Sequence, residues 1–307
     1  MNMIHIGEVL HRRRCELGYS QEFVAQGICE TATLSRIENG VCTPSKSKME
    51  ALMQRLGLYG EKYVAYVSKS DIESDRLREE IIHCNSMKLF EKGLLKLEQL
   101  KSITSPKDHL MQQFILRSQV ILGKMENGIH VSYSPEKQLA LLLQAAHLTM
   151  PHFDINSLQH GLLMKDEIKI INQIAVLYSE KGEHTQAINI YRNLLKNIDT
   201  HCYSIEELCT LISMITYNYS RLLCLEKKPM EALILAEKGR HLCIVYNRHQ
   251  MLPGLLVVMA DCYCQLGEIE KSHQLFLQSY YTYLATDDKY NAQVVKEHCK
   301  ELLGLEI

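Results

Sequence analysis

Apolar residues recur along most of the chain at the three- and four-residue spacing of an amphipathic α-helix, and strand-like alternation is hard to find. Six prolines and 15 glycines in 307 residues leave long stretches free to be helical. Short helical patterns broken by glycines occupy the N-terminal part, and longer amphipathic segments follow from about Ile72 onward. The pattern predicts an all-α protein with two domains, residues 1–66 and residues 67–307.

Two short helices joined by a tight turn are predicted in the N-terminal part. Ser20 suits the N-cap of a helix over residues 21–26, and Gly40 suits the C-terminal end of a second helix over residues 31–39. Residues 27–30 form the turn between them. This layout is that of a helix-turn-helix, in which the second helix enters the major groove of double-stranded DNA.

The C-terminal part contains a weak repeat. Its order is a helix with a small residue, a glycine-containing turn, and a helix that carries a small residue and an aromatic residue four positions later. Residues 171–191 and 259–276 follow this order, and a degraded copy lies between them. The small residues of the second helices are Ala187, Ala232 and Ser272, which are 45 and 40 positions apart. Further helical pairs, over about 73–103 and 108–150, are predicted from amphipathicity alone.

These units resemble tetratricopeptide repeats, in which small residues let paired helices approach closely. The resemblance implies a right-handed superhelix of helical pairs whose concave face is the binding surface. The N-terminal motif resembles the phage-repressor class over residues 4–58. Its Leu34-Ser35-Arg36-Ile37-Glu38-Asn39-Gly40 segment looks like that of the Rgg/PlcR-type (RNPP) peptide-sensing transcription regulators. Those regulators join the same module to tetratricopeptide-like repeats, in the order found here.

The resemblance implies which residues contact DNA. Thr31 and Arg36 are expected to hydrogen-bond base edges, and Ala32 is expected to touch a thymine methyl group. Expected phosphate contacts, which fix the register without reading the sequence, come from Ser35, Asn39 and Lys46. Gln21 is expected to contact either a phosphate or a neighbouring residue that reads a base. Arg14 and Glu38 occupy the positions of an internal ion pair and are not expected to read bases.

The resemblance also implies a short signalling peptide on the concave face. The family uses asparagines on inner helices to clamp a peptide backbone, because a carboxamide both donates and accepts hydrogen bonds. Asn172 and Asn218 are the matching positions in this chain. Further inner-face candidates for peptide binding are Gln113, Arg117, Arg221, Asp261 and Gln265. Each of these also has the ordinary interpretation of a solvated helix residue.

The electrostatic attraction of this chain to DNA is expected to be modest. The formal net charge is −2, so any attraction to DNA must be local. Residues 1–66 carry eight Lys and Arg against seven Asp and Glu. A single such domain would bind DNA weakly, because few phosphates are neutralised. A homodimer that holds two of them together is therefore expected.

Several classes of protein are disfavoured by what the sequence lacks. No apolar run approaches the roughly 18–20 residues that span a membrane, and the N-terminus lacks the pattern of a secretory signal, so a cytoplasmic location is expected. Eleven scattered cysteines indicate buried free thiols in a reducing compartment, without a zinc-site spacing. No phosphate loop, His-Glu-x-x-His motif or nucleophile elbow occurs, so neither an enzyme nor a cofactor or metal is expected.

Three functions are compatible with these features of the sequence. The first is a quorum-sensing transcription regulator in which a signalling peptide alters the placement of two DNA-binding domains. The second keeps the DNA binding but makes the repeats a docking platform for a partner protein, without a peptide ligand. The third is a scaffold that sequesters another protein.

Overall fold

The computed structural model describes residues 5–58, 69–158, 161–201 and 203–307. These ranges contain fifteen α-helices and one short β-hairpin, which confirms the prediction of an all-α fold. The chain forms two compact units, residues 1–177 with 197–203 and residues 178–196 with 204–307. The predicted domain boundary between residues 66 and 67 lies outside the described residues.

The first four helices form a small domain, residues 5–58, which we term the head. Ser20 caps the second helix as predicted, since its side chain accepts a hydrogen bond from the Phe23 amide at 3.1 Å. Gly40 follows the third helix with a φ of +71°, in the left-handed region expected of a C-terminal glycine. The helices are α1 (Ile6–Glu16), α2 (Gln21–Ala25), α3 (Thr31–Glu38) and α4 (Lys46–Arg55).

The repeat helices of the first unit follow the head. The first two helical pairs agree with the predicted ranges, and a hairpin connects the two helices of the second pair. These elements are α5 (Lys69–Ser86), α6 (Phe90–Ile103), α7 (His109–Leu122), β1 (Lys124–Glu126), β2 (Ile129–Val131) and α8 (Pro135–Thr149). Helix α9 (Lys165–Glu180) begins in this unit, and α10 (His184–Thr200) ends in it.

The second unit contains two further helical pairs and a final helix. Its core includes the fully buried Ala260 and Phe276, against which Val295 and Cys299 of the last helix pack. The elements are α11 (Ile205–Leu225), α12 (Pro229–Val245), a 3-10 turn (His249–Met251), α13 (Leu252–Gln265), α14 (Ile269–Ala285) and α15 (Lys289–Leu303).

Five turns between repeat helices combine a Schellman motif with a small buried residue. In each of the five, a residue with positive φ follows the helix, and the next amide donates to the carbonyl five positions before it. The left-handed residues are Lys88, Gly182, Lys227, Gly267 and Asp287. A small buried residue follows each of them after five positions, and these are Gly93, Ala187, Ala232, Ser272 and Ala292. The three predicted anchor residues are therefore confirmed as buried positions between packed helices.

The β-hairpin was not predicted. It pairs Lys124 with Val131 and turns at Asn127 and Gly128, both with positive φ. An Asn-Gly pair is the preferred sequence of a two-residue hairpin turn, so the pair at residues 127 and 128 could have predicted the hairpin. The hairpin is held to the repeats because the His130 ring stacks on Phe90 with centroids 3.8 Å apart.

Candidate functional site

Helix α3 presents the predicted base-reading residues on an open face. Thr31, Ala32 and Arg36 are exposed. The opposite face of the helix holds Leu34 and Ile37, which are 0% and 1% exposed in the core of the head. The helix is thus anchored by its apolar side and leaves its polar side available for a groove of DNA.

Glu38 is the centre of a buried hydrogen-bond cluster in the head. Its carboxylate accepts from Arg14 Nε at 2.7 Å and from Arg14 Nη2 at 2.9 Å, so the predicted internal ion pair is confirmed. Gln21 Nε2 donates to the same carboxylate at 2.7 Å, and His11 Nδ1 lies 3.1 Å from it. Burial raises the pKa of Glu38, but the hydrogen bonds to its carboxylate outweigh burial and hold the pKa below its ordinary value. Gln21 therefore has a structural contact besides its predicted contact with DNA.

The predicted phosphate-binding residues differ in their surroundings. Asn39 is exposed, and its Nδ2 donates to the backbone carbonyl of the half-buried Ser35 at 2.8 Å. Lys46 Nζ lies 2.8 Å from Asp75 of α5, and this hydrogen bond raises the pKa of Lys46. The Lys46 side chain is 42% exposed, and an ammonium group has three donors, so a phosphate can bind it beside Asp75.

The head is fixed to α9 and α8 by polar and backbone contacts. Arg55 Nη2 lies 2.9 Å from Glu167 Oε1, and their side chains are 2% and 1% exposed. Gly27, with a φ of +71°, packs against α8 so closely that a Cβ atom there would lie 2.3 Å from Thr149 Cα. Met164, just before α9, belongs to the buried core of the head. Sequence reasoning missed this docking because its partners are more than a hundred positions apart.

A cavity of about 360 Å³ opens among the first helices of successive pairs in the first unit. We term it the cationic cavity. It is lined from α5 by Arg78, Ile82, Asn85 and Ser86, from α7 by Phe114, Arg117 and Ile121, and from α9 by Asp166 and Lys169. Three basic side chains therefore surround a single acidic one. The volume lies in the range of small-molecule and peptide-side-chain pockets.

The polar groups of the cationic cavity are incompletely paired. Asp166 accepts from Lys169 Nζ at 2.8 Å and lies 3.5 Å from Arg78 Nη2. Burial raises the pKa of Asp166, but Lys169 and Arg78 outweigh it, so that the pKa lies below its ordinary value. The buried Arg117 Nε and Asn85 Oδ1 have no hydrogen-bond partner among the described residues. Since buried polar atoms are normally paired, the cavity offers a donor and an acceptor to a ligand.

The three peptide-binding candidates of the first unit lie in different environments. Arg117 lines the cationic cavity. Gln113 is 1% exposed, and its Nε2 already donates to Thr149 Oγ1 at 2.6 Å and to the Ala145 carbonyl at 3.0 Å. Asn172 lies on α9 and is 5% exposed. Arg78, Asp166 and Lys169 were not predicted, although the opposite charges of Asp166 and Lys169 at a spacing of three were a usable signal.

The other four candidates lie in the second unit. Asn218 is half-buried and Arg221 is exposed, both on α11. Asp261 on α13 accepts from His298 Nε2 at 2.7 Å, a contact that raises the pKa of His298. Gln265 Nε2 donates to the Cys224 carbonyl at 3.0 Å, which joins α13 to the end of α11. Asp261 and Gln265 thus both have structural partners within their own unit.

Among the described residues, no group of three or more His, Cys, Asp or Glu side chains is arranged to hold a metal ion. None of the helices that the structure describes combines the length and the hydropathy of a membrane-spanning segment.

Family models match both parts of the chain. A helix-turn-helix model matches residues 10–62, which include α2, α3 and α4. The model of the RNPP family C-terminal domain matches residues 78–302, well over half of the chain. The chain belongs to the RNPP family. No curated protein matches the sequence.

Known structures of similar fold agree with the RNPP assignment. PlcR of Bacillus thuringiensis, in complex with the peptide PapR7 and DNA, superimposes with a TM-score of 0.60 at 17% identity, over 94% of this chain and 98% of that one. Its apo form gives a TM-score of 0.56 with the same identity and coverage. The SHP pheromone receptor Rgg2(C45S) of Streptococcus dysgalactiae gives 0.51 at 17% identity, over 96% and 98% of the two chains. At these identities the likeness shows the fold.

Proposed function

We propose that this RNPP-family chain is a sequence-specific transcription regulator controlled by a short signalling peptide that binds to the inner helices of its repeat domain. The observation that carries the proposal is the presence, in one chain, of an exposed recognition helix and an incompletely paired cavity in the repeats. The similar PlcR structure holds both a peptide and DNA.

In this proposal α3 reads operator DNA. Thr31 and Arg36 hydrogen-bond base edges, and Ala32 contacts a thymine methyl group. The phosphate contacts come from Gln21, Ser35, Asn39 and Lys46. Two heads are needed for useful affinity, so the active form is a homodimer. Such a regulator works in the bacterial cytoplasm, where its operator is.

The cationic cavity receives an anionic group of the peptide. Arg78, Arg117 and Lys169 outnumber Asp166, and a carboxylate could use the unpaired Arg117 Nε as a donor. Asn172 and Asn218 remain the proposed backbone clamps, with Arg221, Asp261 and Gln265 as flanking contacts, whereas the buried Gln113 is left out of the proposed site because its amide donates to α8. The chain performs no catalysis in this account, because binding alone transmits the signal.

The test is mass spectrometry of peptides retained by the full chain purified from its own cells. We expect a short peptide with the wild type and at least a fivefold smaller amount with Arg117→Met, since a buried charged hydrogen bond is worth about 1.5–3 kcal/mol. Arg240→Met is the matched control, because Arg240 pairs with Glu237 on the surface of the second unit. Retention of no peptide by the wild type, with a partner protein in its place, would support the docking alternative.

A further inference from the structure

Two neighbouring acidic residues in the first turn of α9 have partners in different parts of the first unit. Asp166 belongs to the cationic cavity, where it binds Lys169 Nζ at 2.8 Å and lies 3.5 Å from Arg78. Glu167 points to the head, where it binds Arg55 at 2.9 Å. One helical turn therefore contacts both the cavity and the DNA-reading part of the chain.

The head also caps this turn. The first N–H groups of a helix have no acceptor within the helix. Here the Lys165 amide donates to Gln54 Oε1 of α4 at 3.1 Å, and the Met164 amide donates to Glu167 Oε2 at 2.7 Å. The backbone N–H groups at the N-terminus of α9 thus find one acceptor in Glu167 of the same helix and one in Gln54 of the head.

The contacts leave little freedom for independent movement. Arg55 and Glu167 are almost fully buried, so their ion pair cannot be exchanged for water without separating the two surfaces. Arg78 and Asp166 also line a second, smaller cavity against α4. Its remaining residues include Ser47, Glu50, Ala51 and Gln54 from the head. The Arg78–Asp166 pair therefore lines both the cationic cavity and the smaller cavity against the head.

We propose that the first turn of α9 couples the cationic cavity to the docking of the head. An anionic ligand group that takes Arg78 and Lys169 deprives Asp166 of its partners and shifts the turn. The Glu167–Arg55 ion pair and the cap from α4 are weakened as a result, and the head is released from its docked position. Because coupling is reciprocal, release of the head also changes the affinity of the cavity for the anion.

The identity of the ligand rests on the proposed function, but the coupling belongs to the chain and can be measured without a ligand. Asp166→Asn in the full chain imitates the loss of its ion pairs. We expect hydrogen exchange at the amides of α4 to become at least about fivefold faster, the lower end of typical coupling effects. Exchange in α4 is the decisive measurement, because the substitution also perturbs α9 directly. Glu80→Gln, which removes an ion pair with Lys96 at 2.7 Å between α5 and α6, is the matched control and should leave α4 at the wild-type rate.

A double-mutant cycle separates coupling from general loosening. In an Arg55→Met, Glu167→Gln background, Asp166→Asn should accelerate exchange in α4 by less than about twofold, the margin within which independent effects add. If Asp166→Asn does not fold, Lys169→Gln removes the nearest partner of the same carboxylate and is measured in its place. Wild-type exchange in α4, or an equal acceleration in both backgrounds, would overturn the coupling. Neither result depends on whether a peptide is the ligand, so failure of the proposed function is detected separately by peptide retention.

Discussion

Arg55 and Glu167 form an ion pair at 2.9 Å although 112 positions separate them, and their side chains are 2% and 1% exposed. One residue ends the fourth helix of the head, and the other lies in the first turn of α9. The pair therefore joins the DNA-reading part to the repeats at a point that water does not reach.

Removal of one member of this ion pair should strongly lower the free energy of unfolding. Arg55→Ala leaves the Glu167 carboxylate buried without its cation, and we expect the free energy of unfolding to fall by about 3–5 kcal/mol. Arg12→Ala is the control, because its ion pair with Glu8 is exposed and should contribute at most about 1 kcal/mol. Denaturant unfolding of the full chains measures both values. Equal losses for the two variants would show that the buried pair does not stabilise the docking.

A comparison of Gly27 with Gly18 separates the effect of the close packing of Gly27 on α8 from the effect of backbone strain. Gly27 and Gly18 have φ values of +71° and +69°, but only Gly27 contacts another backbone, since a Cβ at Gly18 would meet nothing within 4 Å. Gly18→Ala should cost about 1–2 kcal/mol from backbone strain alone. We expect Gly27→Ala to cost clearly more, because Thr149 must also move. Thermal unfolding of the two variants checks the difference, and identical midpoints would argue against this contact.

Protonation of Glu38 should lower the free energy of unfolding at acidic pH. Its pKa in the folded state lies below the ordinary 4.5, so its contribution is complete above about pH 4.5 and is lost as the pH falls through the folded-state pKa. Glu38→Gln should therefore lose less stability than the wild type over this acid range. The exposed Glu22→Gln is the control. Parallel curves of unfolding free energy against pH for wild type and Glu38→Gln would contradict the assignment.

The recognition helix should determine sequence preference. Thr31→Ala with Arg36→Ala removes two exposed side chains, so the fold should be kept while the preference for operator over scrambled DNA is lost. Each good contact to a base edge is worth about 1–3 kcal/mol, so the preference should fall at least tenfold. The measurement is affinity for both DNAs at one salt concentration, with circular dichroism as the check of folding. Undiminished discrimination would mean that another surface reads the bases.

The parts of this molecule that the sequence predicted are those with local signals. The cap at Ser20, the left-handed Gly40 and the glycine turns at Gly182 and Gly267 each depend on a residue type at a fixed offset. The equivalent turn at Lys88 was missed, because a lysine gives no sign of positive φ.

The docking of the head and the cationic cavity depend instead on distant pairs. Arg55 could not be assigned to Glu167 from either segment alone. Gln113, chosen as an inner-face residue, proves to be a buried hydrogen-bond donor to α8, since helical periodicity does not distinguish a groove from a packed face. Asn172 and Asn218 stay predictions.

Control of DNA binding by a peptide bound to the repeats can be measured on the full chain. The most direct measurement is the affinity of the full chain for its operator, by fluorescence anisotropy, with and without the peptide that the native protein retains. We predict a change of at least about fivefold, the usual lower end of allosteric coupling, and no such change for Arg117→Met at the same peptide concentration. An operator affinity that is the same with and without the peptide, at concentrations that saturate the repeat domain, would contradict the account.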